Sequence, residues 1–325
     1  MSCCADIYDH LNVPPQVREI WRNVSPSLLP LQKELIFSGA MFNSEPLLIH
    51  APTSSGKTFL AEIRMIVEVF NGGKCIYTVP LKVQAEEVYK TLKSRYEELG
   101  IKVVISTRDY RAQDGEIEKG NFHIAVMVYE KLLQSCARSP LLRSKVSAIV
   151  FDDVDLLFDF ERGSVADFII SLWKSSPARK LYLSASLPMP TEVAQWLNAR
   201  YIHSDFRPVE LKKGVLFDGT FYFVSKDGKE IEQERFWDTS NTELKPVIGA
   251  LKFFLERGEQ TLIFMKSRSE VKRLAWELMN IFSLPPAEQA CNRLRGLEPT
   301  QARDLLMELF QNGIGIHHSD LLQEE

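Results

Sequence analysis

Ala51-Pro-Thr-Ser-Ser-Gly-Lys-Thr58 follows an apolar run from Pro46 to Ile49 and precedes residues 59–70, whose apolar positions recur at helical spacing. The order reads as a short buried strand, a tight loop and a helix beginning at Lys57-Thr58. Such a loop wraps backbone N–H groups around the phosphates of a nucleoside triphosphate, and the helix N-terminus adds its positive end. Thr53, Ser54, Ser55, Gly56, Lys57 and Thr58 are therefore the candidate nucleotide-binding residues. Lys57 reaches the terminal phosphates as a point charge, and the Thr58 hydroxyl helps to hold Mg²⁺. Ala51 stands where the usual pattern of this loop has its first glycine. ATP and Mg²⁺ are the expected cofactors.

Outward from this loop, short apolar runs alternate with amphipathic stretches from residue 28 to residue 206. Strands are expected at 47–50, 75–79, 102–105, 124–128, 148–151 and 181–183, with helices between most of them, including 83–99 and 165–174. The alternation predicts an α/β fold in which a parallel sheet carries helices on both faces and binds ligands at the carboxyl ends of its strands. Ala51 onward, Pro80, Asp152 and Ser184 all fall at such ends. Residues 1–27 read as a lead-in broken at Pro14-Pro15, and 206–239 as a turn-rich, charged hinge. A second alternating unit follows: helix 244–257, strand 261–265, helix 269–282, helix 300–310 and a strand start at 313–317. Two strands cannot complete a parallel sheet, so residues 207–325 are expected to form only part of a second lobe.

The apolar strand Ser147-Ala-Ile-Val-Phe151 runs into Asp152-Asp-Val-Asp155. In a P-loop fold an acid at this strand end lies beside the phosphate loop and holds Mg²⁺, the role expected of Asp152. Asp153 sits where a water-activating acid belongs. Lys57, Asp152 and Asp153 are thus the catalytic candidates, and Thr58 and Asp152 the metal-binding ones. Ser184-Ala-Ser186 is a small polar turn after another apolar strand, weak evidence by itself.

The bulk numbers set outer bounds. The chain has 325 residues, enough for about two domains. It is 45% hydrophobic and carries a net charge of −4, so no global basic field points to nucleic acid. Five cysteines with no metal-like spacing beyond Cys3-Cys4 predict a reducing compartment and no disulfide framework. No signal peptide is read at the N-terminus, and no apolar run approaches the roughly 20 residues of a membrane span. The expected location is intracellular, nuclear in a eukaryote and otherwise cytoplasmic, without a membrane partner.

Taken together, the motifs resemble those of superfamily 2 helicases. The similarity is to the Ski-type DExH branch, which includes archaeal repair helicases and the polymerase theta helicase domain. Leu29-Pro-Leu-Gln32 resembles the adenine-reading Gln motif, which implies that Gln32 contacts the base. Ala51–Thr58 resembles motif I, where alanine at the first position is usual. Val79-Pro-Leu-Lys-Val-Gln-Ala-Glu-Glu87 resembles motif Ia, a contact to the nucleic-acid backbone. Ser106-Thr-Arg-Asp-Tyr110 and Tyr129-Glu-Lys131 resemble the strand-contacting motifs that come next. Asp152–Asp155 corresponds to motif II, and residues 156–163 resemble the family's run ending in Arg-Gly. Ser184-Ala-Ser186 is similar to motif III, which implies a coupling role for Ser184 and Ser186. Phe206-Arg-Pro-Val209 matches the passage out of lobe one, Leu262-Ile-Phe-Met-Lys-Ser-Arg268 looks like motif IV, and Gly315-Ile-His-His318 resembles the segment before motif V.

The resemblance implies two RecA-like lobes, the second incomplete and without motifs V and VI. It implies an ATP-dependent helicase or translocase acting on single-stranded DNA or RNA, with Pro80, Lys82, Arg108, Lys131 and Arg268 as backbone contacts. Motif VI supplies the arginines that reach the γ-phosphate, a contribution of about 10³–10⁵ in related systems. No residue after Asp320 fills that role, so this reading takes the chain as the N-terminal portion of such a protein, with little turnover alone. Other departures are local. Asp153 replaces glutamate, and its carboxylate falls short by roughly 1 Å, a misplacement that can cost on the order of a hundredfold in rate. Asp155 replaces histidine, Ser186 threonine, Arg108 a common glycine and Val128 a threonine. These changes frame the alternative, a catalytically weak, nucleotide-sensing module with a protein partner. A P-loop kinase or GTPase is disfavoured, since no guanine-reading Asn-Lys-x-Asp stretch follows the loop.

Overall fold

The computed structural model describes residues 5–225, 228–238, 245–318 and 321, so the adjacent Cys3-Cys4 and the stretch around Asp320 lie outside the described residues. It divides into two compact units, Met1–Glu210 and Leu211–Glu325.

The first unit opens with helices α1 (Ala5–Asp9), α2 (Pro15–Val24) and α3 (Pro30–Phe37). Strand and helix then alternate through β1 (Leu47–His50), α4 (Lys57–Phe70), β2 (Cys75–Val79), α5 (Lys82–Tyr96), β3 (Val103–Ser106) and α6 (Asp114–Lys119). The pattern continues with β4 (Ile124–Val128), α7 (Tyr129–Arg138), α8 (Leu142–Lys145), β5 (Ala148–Phe151), α9 (Gly163–Lys174), β6 (Arg179–Ser184), α10 (Pro190–Leu197) and β7 (Arg200–His203). The seven strands form one parallel sheet in the order β3-β4-β2-β5-β6-β1-β7. Because side chains alternate across a strand, one core takes Leu47, Ile49, Tyr77, Val150 and Leu183, and the other takes Leu48, Ile76, Ile149 and Tyr182. Burial on both faces explains why these strands read as continuous apolar runs. The α/β class with helices on both faces is as expected, and this unit is a RecA-like P-loop domain.

Two features of the unit differ from the sequence reading. The edge strand β7 went unrecognised because Arg200 and His203 are exposed and only Ile202 is buried. The lead-in packs into the core: Trp21 is fully buried, and its Nε1 donates to the Tyr96 hydroxyl at 2.8 Å. That hydroxyl donates in turn to Glu62 on α4, which also accepts from Arg95 at 2.5 Å. A buried polar chain thus ties α2 to α4 and α5.

In the second unit, the segment expected as a hinge carries an antiparallel sheet of β8 (Gly214–Phe217), β9 (Thr220–Val224) and β10 (Ile231–Arg235), in the order β10-β9-β8. Asp218-Gly219, both at positive φ (46° and 70°), make the two-residue turn between β8 and β9. Helices α11 (Pro246–Leu255), α12 (Arg268–Ile281), α13 (Glu288–Arg295) and α14 (Gln301–Gln311) follow. Phe236 stacks on Phe253 with ring centroids 4.0 Å apart, and a Cβ on Gly249 would lie 2.7 Å from the Trp237 ring. The strands expected at 261–265 and 313–317 are not formed. Both segments run without ladder pairing, and Leu262 and Phe264 are 79% and 86% exposed. A parallel strand needs a neighbour, and none is available to them among the described residues.

Candidate nucleotide and strand site

The ends of β1, β2, β5 and β6 bring the candidate residues together. Ala51 is buried and its N–H donates to Ser184 O at 3.1 Å, which fixes the start of the phosphate loop against β6. The loop turns through Ser54 (φ 66°) and Gly56 (φ 82°) into α4. A Cβ on Gly56 would lie 2.0 Å from Gln32 Nε2, so a side chain there would displace the Gln32 amide as well as strain the backbone. Lys57 Nζ donates to Ala51 O at 2.5 Å and to Pro52 O at 2.9 Å, which lays the ammonium across the loop. Burial lowers its proton affinity, partly offset by Asp152, Asp153 and Asp155. Ser55 Oγ is buried there with no hydrogen-bond partner.

The three carboxylates are held differently. Asp152 accepts from the Tyr77 hydroxyl and from the Asp153 N–H at 3.0 Å, and burial pushes its carboxyl up to about 6. Its carbonyl accepts from the Tyr129 hydroxyl at 2.9 Å. Asp153 sits at φ 48°, and its carboxylate accepts from Gln84 Nε2 of α5 at 2.9 Å. Asp155 accepts from both Ser184 Oγ and Ser186 Oγ, the latter at 3.1 Å. The weak Ser-Ala-Ser turn is therefore joined to the strong acidic motif by direct bonds.

The donor set fits a magnesium nucleotide. Thr58 and Asp152 line one cavity of about 440 Å³ between α4 and α5, a hydroxyl and a carboxylate of the kind Mg²⁺ takes. The buried, unpartnered Ser55 hydroxyl beside the turn at Gly56 is a polar group of the kind a phosphate would satisfy. Gln32, the expected base contact, is 2% exposed. Its Oε1 accepts from Leu29 N at 2.9 Å and its Nε2 donates to Gly56 O at 3.1 Å, so it braces the loop.

The expected strand contacts of the first unit lie in loops and at the starts of helices. Lys82 pairs with Asp109 at 2.8 Å, and Arg108 is exposed beside it. Lys131 is 8% exposed and pairs with Asp114 at 2.7 Å, so its charge is already matched. Pro80 O accepts from Arg162 Nη2 at 2.6 Å, and Arg162 Nε donates to Glu130 at 2.8 Å. Arg162 therefore links the loop after β2 to the start of α7. Arg268 opens α12 in the second unit. Gln84, Tyr77, Tyr129 and Arg162 were not singled out from sequence. Each lies within or beside a recognised motif, but only the fold reveals what it touches.

The model of the DEAD/DEAH box helicases matches residues 29–194, just over half of the chain. The chain belongs to the DEAD/DEAH box helicase family. Among curated proteins it is similar to the ATP-dependent DNA helicase Hel308 of Pyrococcus horikoshii, 33% identical over 323 residues. That alignment covers 98% of this chain and 43% of the relative. Hel308 of Pyrococcus abyssi is 33% identical over 97% of the chain and 42% of its own length, and Hel308 of Methanocaldococcus jannaschii 30% identical over 90% and 25%. The chain thus spans less than half the length of the helicases it matches. These relatives are named as ATP-dependent DNA helicases, in keeping with the helicase resemblance of the motifs. No helix among the described residues is long and apolar enough to cross a membrane.

Proposed function

We propose that this chain is the ATP- and strand-binding portion of a superfamily 2 helicase or translocase acting on single-stranded nucleic acid. DNA is the preferred substrate, since the relatives are named as DNA helicases. The observation that carries the reading is the convergence of Lys57 and Thr58, after β1, with Asp152 and Asp153, after β5, on either side of the end of β6, where Ser184 and Ser186 bond to Asp155. Lys57 would meet the outer phosphates, Thr58 and Asp152 would hold Mg²⁺, and Asp153 would orient the attacking water. Mg²⁺ held there would supply charge neutralisation at the phosphate oxygens. Pro80, Lys82 and Arg108 meet the strand's backbone, with Arg162 holding the loop at Pro80 and Lys131 tying α7 to α6; Arg268 is a separate backbone contact carried by the second unit. Contacts to phosphates make such binding sequence-tolerant and salt-sensitive.

Steady-state ATP turnover with and without single-stranded DNA or RNA, with Lys57→Ala as the blank, tests the reading. Strand-stimulated turnover that is lost in the variant is the expected result for an active enzyme. A strand that changes neither turnover nor nucleotide affinity contradicts it. One observation favours the alternative of a nucleotide-sensing module: Gln84 holds the short Asp153 side chain against α5. That reading expects nucleotide binding without turnover.

A further inference from the structure

A cation that none of the motif roles above assigns also faces the phosphate loop. β7 ends at His203, and the Ser204 N–H donates to His50 O at 3.1 Å, so the departing chain runs beside the end of β1. The Phe206 N–H donates back to Ser204 Oγ at 3.3 Å. This path brings Arg207 Nη1 to 3.4 Å from Thr53 Oγ1, on the exposed crest of the loop. The nearby Asp205 carboxylate is directed to His203 Nε2 at 3.1 Å. Among the described residues Arg207 forms no ion pair with a carboxylate.

Two cations therefore serve one loop, Lys57 across its floor and Arg207 at its crest. They are close enough that Arg207 contributes, behind burial, to lowering the proton affinity of Lys57. Like charges held together in a partly desolvated site repel, and a polyanion between them turns that repulsion into attraction. The guanidinium fork also matches the oxygens of a phosphate, which an ammonium meets only as a point charge. In loops of this kind the N–H groups running into the helix cradle the inner phosphates. Thr53 lies at the opposite end of the loop from α4, which is the end for the outermost phosphate.

We propose that Arg207 contacts the terminal phosphate of the bound nucleoside triphosphate and so sets a preference for triphosphate over diphosphate. The inference rests on the nucleotide-binding reading above. It assigns to the first unit itself an arginine that senses the γ-phosphate, independent of any arginine supplied by another domain.

The test is calorimetric titration of the whole chain with Mg²⁺ and either ADP or the non-hydrolysable AMP-PNP, for the wild type, Arg207→Ala, Arg207→Lys and Lys57→Ala. Arg207→Ala should weaken AMP-PNP binding about tenfold and ADP binding less than about twofold. Arg207→Lys should recover part of the loss. Equal weakening for both nucleotides, or no change for either, overturns the inference and leaves the nucleotide-binding reading intact. A wild type that binds neither nucleotide, like Lys57→Ala, overturns that reading and the inference with it. Matching melting curves for wild type and Arg207→Ala establish that the comparison is between folded proteins.

Discussion

Asp152 and Asp153 are adjacent in sequence but held by different partners, so their substitutions should separate. Asp152 lines the same cavity as Thr58 and is braced by Tyr77, whereas Asp153 is directed to Gln84. Asp152→Asn should weaken Mg²⁺-dependent nucleotide binding about tenfold or more, and Asp153→Asn should leave it within about threefold. Titrations with and without Mg²⁺ check this; equal losses would mean that both acids hold the metal. A pH effect is expected at His50, which ends β1 beside Tyr201 and His203. Burial, then the neighbouring His203, lowers its pKa below the ordinary value of 6.5. The unfolded chain therefore takes up the proton first, and stability is lost as pH falls through about 6.5 toward the folded value. His50→Gln should make the fall in melting temperature between about pH 7.5 and pH 5.5 shallower than in the wild type. An unchanged slope would remove His50 from the linkage.

At the scale of elements, legibility followed burial. Strands covered on both faces, such as β2 and β4, declare themselves as unbroken apolar runs with boundaries to the residue. β7 is an edge strand with one buried side chain, and it gives no such signal. The β8–β9 hairpin did carry a local sign in Asp218-Gly219, but its strands bury few side chains and read as charged turns. Spacing marked the residues of the phosphate loop and its acids. It could not give the partners of Gln84 or Arg162, because those bonds join segments distant in sequence. Trp21 is a similar case, buried far along the chain from Tyr96 and Glu62. Trp21→Ala should destabilise the first unit by about 3–5 kcal/mol. Trp21→Phe, which keeps most of the packing and loses the hydrogen bond, should cost about 1 kcal/mol. Urea denaturation measures both, and a negligible loss for Trp21→Ala would contradict a structural role for the lead-in.

For the molecule as a whole, the two units are unequal in how well they cover their apolar surface. The first encloses its sheet between two helical layers, whereas the second leaves Leu262 and Phe264 exposed on an unpaired extended segment. Such a segment offers free backbone groups and apolar side chains to another chain. Concentration-dependent self-association that Leu262→Lys with Phe264→Lys reduces is expected, read by light scattering after size exclusion. A monodisperse wild type at the same concentrations would contradict it. The first unit should hold a working nucleotide site built on Lys57 and its loop. Equilibrium titration of the chain with Mg²⁺ and ATP, in parallel with Lys57→Ala, tests it most directly. Saturable binding of one nucleotide per chain, displaced by ADP and lost in the variant, is the predicted result; a wild type that binds no more tightly than Lys57→Ala would contradict it.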